Sequence, residues 1–352
     1  MKEYLSVDEF RNSINKGIAL FGAGLGGKRC YEYLEKIGLS AQVKMFIDNN
    51  IDKQGQYLFD KPINNIETLA KYPEMIVVSA TALYKQVINC FREKGLSNKL
   101  YGWLDFNAMF PDDPLVADRD FIASFYEQDE MTGNIIDMML QCRTDNNISR
   151  IQPMELVEHL NMVTNYWFDD VSLHNEDMLT IFDCGSFIGD CFEFWFENYS
   201  DKIKSIHAFE PDQETYHTLK ENVLTYQKGN VIKCHNSCLG SENRTAYFAQ
   251  GQDYNSCVSD SDSGYEVKMI CVDDLGEEIE GKLCIKMDIE GYEIPALQGA
   301  EKIIRKYKPN LAICVYHKDN DIFRIPQYIK SLVPEYKCKL RGGSHMVCYA
   351  SV

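Results

Sequence analysis

The segment TIFDCGSFIGD (180–190) limits the folds open to this 352-residue chain more than any other. An apolar run ends in Asp183, Gly185 and Gly189 follow, and a helical pattern then begins. Such a run, stopped by glycine and continued at helical periodicity, is a strand turning into a helix. In a doubly wound sheet that turn lies off the carboxyl end of the strand, where ligands bind.

The same grammar appears near the start. GIALFGAGLGG (17–27) is a short strand entering a glycine turn, and KRCYEYLEKIG (28–38) is a helix closed by Gly38. QVKMFIDNN (42–50), PEMIVVSA (73–80) and KLYGWL (99–104) are further strands, with helical stretches at INNIETLAKY (63–72) and YKQVINCFREKG (84–95). From Leu179 the expected strands are LTIFDCGS, SIHAFEP, VIKCHNSC, TAYFAQ, VKMICVDDL, LCIKMDIEG and NLAICVYH, with helices at 190–199, 212–227, 294–306 and 322–332. YKCKLRGG (336–343) and MVCYASV (346–352) have no helix between them and read as an antiparallel hairpin at the sheet edge. Alternating strands and helices imply parallel sheets with right-handed crossovers. The expected fold is therefore α/β: two doubly wound Rossmann-like domains, residues 1–104 and 171–352, joined by a helical connector over 105–170.

Charge supports that division. Residues 105–178 hold 16 acidic and 3 basic side chains, whereas residues 1–104 hold 11 and 14. Most of the net charge of −17 thus sits in the connector, and such runs are usually solvated faces. Nucleic acid is not an expected partner, because phosphate binding needs a basic footprint. No stretch reaches the ~20 apolar residues of a membrane span, and MKEYLSVDEF carries no apolar signal core. A cytoplasmic protein is expected. Its 13 cysteines fit that reading as reduced thiols, several inside apolar runs (Cys184, Cys284, Cys314, Cys348). The oligomeric state is left open, and a homo-oligomer is compatible.

Four constellations carry chemistry. Asp183, Gly185, Ser186 and Gly189 form the first: glycines let backbone approach a ligand, and Asp183 at the strand end could meet a ligand amino group directly or through water. Glu210 in HAFEPD is the second: an acid at the tip of the second strand accepts from both ribose hydroxyls of an adenosine, while Asp212 caps the next helix. Lys286, Asp288 and Glu290 in IKMDIEG are the third. They share one face of a strand that should be apolar, so Lys286 and Asp288 are expected to pair and to line a reaction site. His317, ending NLAICVYH, is the fourth and could take a proton near neutral pH.

Taken in order, FDCGSFIGD, HAFEPD, CVDDL (271–275), IKMDIEGYEIPALQGA and the strand ending in His317 resemble the FkbM-type methyltransferase family over about residues 160–352. NYWFDD (165–170) resembles an (Asn/Gln)-Tyr-Phe-Asp segment of bacterial members with an added N-terminal region. One departure is Cys184–Gly185–Ser186, where many relatives carry Gly-Ala-Asn or Gly-Ala-Tyr. The resemblance implies S-adenosylmethionine-dependent O-methylation of a small-molecule acceptor, often a sugar, glycan precursor or secondary metabolite. By matched position it implies cofactor roles for Asp183, Gly185, Gly189 and Glu210, with Asp288 and Glu290 at the reaction edge. The general base is then His317 or one of the carboxylates of Asp288 and Glu290. Lys286 would hold Asp288, and Tyr166, Asn255 and Ser256 are candidate substrate contacts.

Gly22, Gly24 and Gly27 fit G-x-G-x-x-G, and Asp48 ends the second strand of that half. This part loosely resembles small nucleotide-sugar-binding Rossmann domains, which implies a nucleotide or nucleotide sugar there. Two other functions remain open: an NAD-dependent oxidoreductase built on this first fingerprint, or a non-catalytic nucleotide-sugar-binding scaffold. The first lacks an evident catalytic Tyr-x-x-x-Lys or Cys partner in that domain. Asp288 with Asp319 and Asn320 would offer three oxygen ligands suited to magnesium. That Asp-Asn-Asp run is equally an ordinary loop and helix cap, and no metal is assigned.

Overall fold

The computed structural model describes residues 4–81, 84–104, 118–144, 148–160, 173, 176–226, 231–249, 257–259, 264–276, 279–318, 320–342 and 345–352. Tyr166, Asn255, Ser256, Asp319 and the segment 165–170 lie outside the described residues. The described residues divide into two compact units. Each is α/β and Rossmann-like, built on a seven-stranded sheet.

The first unit takes in the described residues of Met1–Ala108 and Asn134–Met162. Its strands are β1 (Ile18–Phe21), β2 (Val43–Ile47), β3 (Tyr57–Leu58), β4 (Lys61–Asn64), β5 (Ile76–Ser79), β6 (Leu100–Trp103) and β7 (Ile151–Pro153), in the order β3-β4-β2-β1-β5-β6-β7. Helices α1 (Val7–Ser13), α2 (Leu25–Lys36) and α3 (Tyr84–Glu93) accompany them. The period-2 alternation of the strands splits their apolar residues between two cores. Ile18, Leu20, Phe46 and Val78 pack with Cys30, Tyr33 and Leu34 of α2. Ala19, Phe21, Ile47 and Val77 pack with Val87 and Phe91 of α3. Both faces are covered, which is why β1 and β5 are apolar at nearly every position.

The stretch expected to be a helical connector holds α4 (Arg119–Ala123), α5 (Glu130–Thr144) and α6 (Met154–Leu160), and also β7, which pairs antiparallel with β6. Its described residues before Asn134 group with the second unit, and those from Asn134 on group with the first. Within the second unit, Tyr126 donates to the Ile322 carbonyl and Arg341 pairs with Asp129 at 3.1 Å.

The second unit begins with β8 (Leu179–Cys184), α7 (Phe192–Tyr199), β9 (Ile203–Phe209), α8 (Gln213–Thr225) and β10 (Ile232–His235). Then come β11 (Cys238–Leu239), β12 (Arg244–Ala249), β13 (Cys257–Ser259), β14 (Tyr265–Ile270) and β15 (Lys282–Met287). The chain ends with α9 (Glu293–Gln298), α10 (Glu301–Tyr307), β16 (Asn310–Cys314), α11 (Asp321–Leu332), β17 (Lys337–Arg341) and β18 (Val347–Ser351). The main sheet runs β10-β9-β8-β15-β16-β18-β17. Its first five strands are parallel. The final strand, antiparallel, inserts between β16 and β17.

Two expectations are corrected here. TAYFAQ and VKMICVDDL do not extend the main sheet; they form β12 and β14 of a separate four-stranded sheet with β11 and β13. The physical reason is one-sided burial: Val267 and Met269 are buried while Glu266 and Lys268 are exposed, and the buried set joins Cys238, Ala246 and Phe248 in a small core. The helix expected over 294–306 is two helices, α9 and α10. At the break, a Cβ on Gly299 would lie 2.0 Å from the Gly240 carbonyl oxygen, so the backbone turns against the chain that leads out of β11. Among the described residues no helix is long and apolar enough to cross a membrane.

Candidate functional site

A cavity of about 330 Å³ opens off the carboxyl ends of β8, β9 and β15, within the size range of small-molecule sites. Strand register builds its floor. Lys286 on β15 stands directly opposite Asp183 on β8. Its Nζ lies 3.0 Å from Asp183 Oδ1, with 3% and 0% of the two side chains exposed. Lys286 also donates to the Gly185 carbonyl. Burial works against the ammonium charge, but the negative charge of Asp183 outweighs it and holds the Lys286 pKa well above its ordinary value. The main partner of Lys286 is therefore cross-strand, a pairing that the same-strand expectation with Asp288 did not name.

Of the first constellation, only Gly185 reaches the cavity wall. Asp183 and Ser186 are fully buried, and Ser186 donates to the Asp183 carbonyl at 2.7 Å. Gly189 packs inward, where an added Cβ would meet the Phe192 ring at 2.8 Å. Gly185 has φ +79, and a Cβ there would lie 1.9 Å from the Asp288 carbonyl oxygen. Only glycine lets these two strand ends come so close. Asp190, which sequence reasoning passed over, lines the cavity together with Phe187.

Glu210 sits at the end of β9 on the cavity wall, 7% exposed. Its two oxygens accept the Phe187 and Asp212 N–H groups at 3.0 and 2.9 Å. Burial raises its pKa to about 7, against the pull of those two donors. Glu210 thus has a structural role that the sequence did not reveal, tying the glycine turn to the start of α8, and still faces the cavity. Asp212 caps α8 through the Thr215 N–H and accepts from the Tyr265 hydroxyl at 2.6 Å.

At the other end of the cavity lie Asp288 and Glu290, just past β15. Asp288 Oδ1 accepts from the Tyr316 hydroxyl at 3.0 Å and lies 3.3 Å from His317 Nε2. Glu290 Oε2 is 3.6 Å from the same nitrogen. The other ring nitrogen, Nδ1, meets Glu293 Oε1 at 2.8 Å. Burial opposes charge on His317, but Glu293 and Asp288 hold its pKa well above the usual value. The Glu290 carboxyl is pushed up to about 7, chiefly by burial, with His317 opposing and Asp288 adding repulsion. Tyr316 and Glu293 are further members of this cluster that sequence reasoning did not single out.

The donor set discriminates between ligands. Asp190, Glu210, Asp212, Asp288 and Glu290 all line the cavity, and Lys286 is the one lysine or arginine among its described walls. A diphosphate would meet strong repulsion here, whereas a sulfonium with an ammonium group would be attracted. Phe209, Leu239 and Phe248 supply apolar wall for a base, next to Glu210 for a ribose. The walls fit an adenosyl sulfonium ligand better than a dinucleotide.

In the first unit, Gly22, Gly24 and Gly27 lie on the turn from β1 into α2, and Asp48 at the end of β2 faces that turn. Asp48 accepts the Ala23 and Asn50 N–H groups, both at 2.8 Å, and lies 3.4 Å from Lys53 Nζ. A Cβ on Gly27 would be 2.0 Å from the Gly22 carbonyl oxygen, while one on Gly24 would meet only Lys53 Nζ at 3.9 Å. Close packing therefore explains Gly27, and leaves Gly24 open at the start of α2.

Residues 183–336 match the family model of the methyltransferase FkbM domain. Among solved structures, the chain is similar to a methyltransferase FkbM from Methylobacillus flagellatus KT, with TM-score 0.56 and 17% identity over 97% of this chain and 92% of that one. That likeness shows a shared fold across both units. Weaker similarities, which carry no argument, are to UDP-D-quinovosamine 4-dehydrogenase from Vibrio fischeri (TM-score 0.22, 21% identity, 25% of this chain and 78% of that one) and to an SAH-bound methyltransferase from Podospora anserina (TM-score 0.30, 12% identity, 70% and 98%). No curated protein matches the chain.

Proposed function

We propose that this chain, whose residues 183–336 match the methyltransferase FkbM domain, is a methyltransferase that methylates a hydroxyl of a sugar, glycan precursor or other small metabolite. S-adenosylmethionine supplies an electrophilic methyl group when bound. Glu210 would hold the ribose hydroxyls, the apolar wall of Phe209, Leu239 and Phe248 the base, and Asp190 with Lys286 the amino-acid end. Asp183 acts from below, keeping Lys286 charged and in place.

The acceptor would meet Asp288, Glu290 and His317. His317 is ringed by carboxylates that hold its pKa well above the usual value, and its Nδ1 is engaged by Glu293, so it is the poorer base. Glu290 is better suited to take the acceptor's proton, because its side chain is 43% exposed and lines the cavity. A positioned carboxylate of this kind typically contributes about 10²–10⁴-fold. The single observation that carries the reading is the acid-lined cavity with Glu210 at the second strand end. It fits a cationic adenosyl ligand and disfavours a dinucleotide in this cavity. A nucleotide sugar in the first unit is a further part of the proposal, resting on the Gly22, Gly24, Gly27 and Asp48 fingerprint alone.

The test is transfer from methyl-labelled S-adenosylmethionine to a panel of free sugars, nucleotide sugars and polyhydroxylated metabolites. The expected result is label in a methyl ether on at least one hydroxyl acceptor. Label found only on nitrogen or sulfur acceptors would contradict it.

A further inference from the structure

We propose that Asp288, Glu290 and His317 form a binding site for a first-row divalent cation at the acceptor edge of the cavity. One ligand atom from each residue lies within 4.8 Å of the other two. His317 Nε2 stands 3.3 Å from Asp288 Oδ1 and 3.6 Å from Glu290 Oε2. A cation at 2.0–2.2 Å from its ligands sets neighbouring ligand atoms roughly 3.0–3.6 Å apart, so both separations from His317 suit one ion.

A second observation points to an ion rather than to a chance gathering of acids. His317 Nε2 is buried without a well-formed hydrogen bond, 3.3 Å from Asp288 Oδ1, with 7% of the side chain exposed, and a cation bound there would displace any proton on it. The nitrogen is aimed between the two carboxylates. Its direction is fixed from behind: Nδ1 meets Glu293, 1% exposed, which is itself anchored by the Ile289 N–H at 3.1 Å. A carboxylate behind the ring is the arrangement that orients metal-binding histidines and sets their tautomer. Tyr316 holds Asp288 Oδ1 in the same way.

One imidazole with two carboxylates suits manganese, iron or zinc better than magnesium, whose partners are oxygen atoms alone. Three protein ligands leave coordination positions open, and Asp288 and Glu290 put those positions toward the cavity. Resting on the methyltransferase reading, the open positions would take the acceptor's hydroxyl oxygen and orient it. One oxygen of Glu290 suffices as ligand, which leaves the other to face the acceptor's proton.

The experiment is Mn²⁺ titration of the full chain, stripped with chelator, by calorimetry and by electron paramagnetic resonance. S-adenosylhomocysteine binding is measured on the same samples. The expected result is uptake of one Mn²⁺, abolished in His317→Ala and Asp288→Asn and weakened about 10–100-fold in Glu293→Gln. Retained S-adenosylhomocysteine binding would show that each variant is folded. Absence of saturable uptake at millimolar Mn²⁺ in wild type, or equal uptake in all three variants, would overturn the proposal. Mn²⁺ uptake without adenosyl-ligand binding would instead sink the methyltransferase reading and leave the cation site standing.

Discussion

Lys286→Met tests how the cavity floor is held. The substitution keeps the length of the side chain and removes its charge. It leaves Asp183, fully buried, without its partner at 3.0 Å, and takes a donor from the Gly185 carbonyl. Breaking a buried ion pair from one side costs ~3–5 kcal/mol, because an uncompensated charge stays behind. For a unit of about 200 residues, each kcal/mol lowers the melting temperature by about 2–4 °C. Calorimetric scans should therefore show the second unit's transition falling by ~6–20 °C while the first unit's stays in place. The pair should also be coupled. Asp183→Asn alone strands Lys286, but Lys286→Met with Asp183→Asn strands no charge, so the double variant should cost ~1–3 kcal/mol less than the two single costs added. Additive costs within ~0.5 kcal/mol, or a single variant as stable as wild type, would mean that Lys286 and Asp183 do not hold each other.

Further predictions concern the turns and the ribose-facing acid. The folded-state pKa of Glu210 is raised from its ordinary value to about 7, so in the ligand-free chain its contribution to stability is fully present below about 4.5 and is lost as pH rises through about 7. A ribose diol donates to the carboxylate, so S-adenosylhomocysteine affinity should fall, up to about tenfold per unit, as pH drops below about 7; affinity unchanged from pH 8 to 5.5 by calorimetry would oppose this. Gly185→Ala puts a methyl against the Asp288 carbonyl at φ +79, which should cost at least ~1–2 kcal/mol and most of the activity, read by thermal unfolding and methyl-transfer assays. Gly24→Ala should fold within ~0.5 kcal/mol of wild type, whereas Gly27→Ala should lower the first unit's melting temperature sharply, because only the second methyl strikes backbone.

The sequence disclosed what is local. Each strand end that turns through glycine or into an acid was visible, because apolar runs and turn residues are written contiguously; the two Rossmann-like halves followed from their alternation. The carboxylates gathered at one sheet edge were legible for the same reason, since strand ends of a parallel sheet share an edge. Partners across strands were not. Lys286 meets Asp183, 103 positions away, through register, and spacing along one strand is silent about register. Glu210 shows the same limit: its bonds to Phe187 and Asp212 depend on how two separate turns fold back. Tyr316 and Glu293 stood inside quoted motifs, but they meet Asp288 and His317 only because the ends of β15 and β16 lie side by side in the sheet. The separate sheet was a readable signal that was missed. In Tyr265–Ile270 the polar residues alternate strictly with Val267 and Met269, the mark of a one-faced strand rather than of a strand buried between helices.

The proposed methyl transfer depends on the second unit binding an adenosyl sulfonium through Glu210. Calorimetric titration of wild type and Glu210→Ala with S-adenosylmethionine, S-adenosylhomocysteine and NAD tests it most directly. One adenosyl-ligand site is expected in wild type, at least about tenfold weaker in the variant, a change of about 1.4 kcal/mol or more. NAD binding alone, or adenosyl-ligand binding that ignores the substitution, would contradict it.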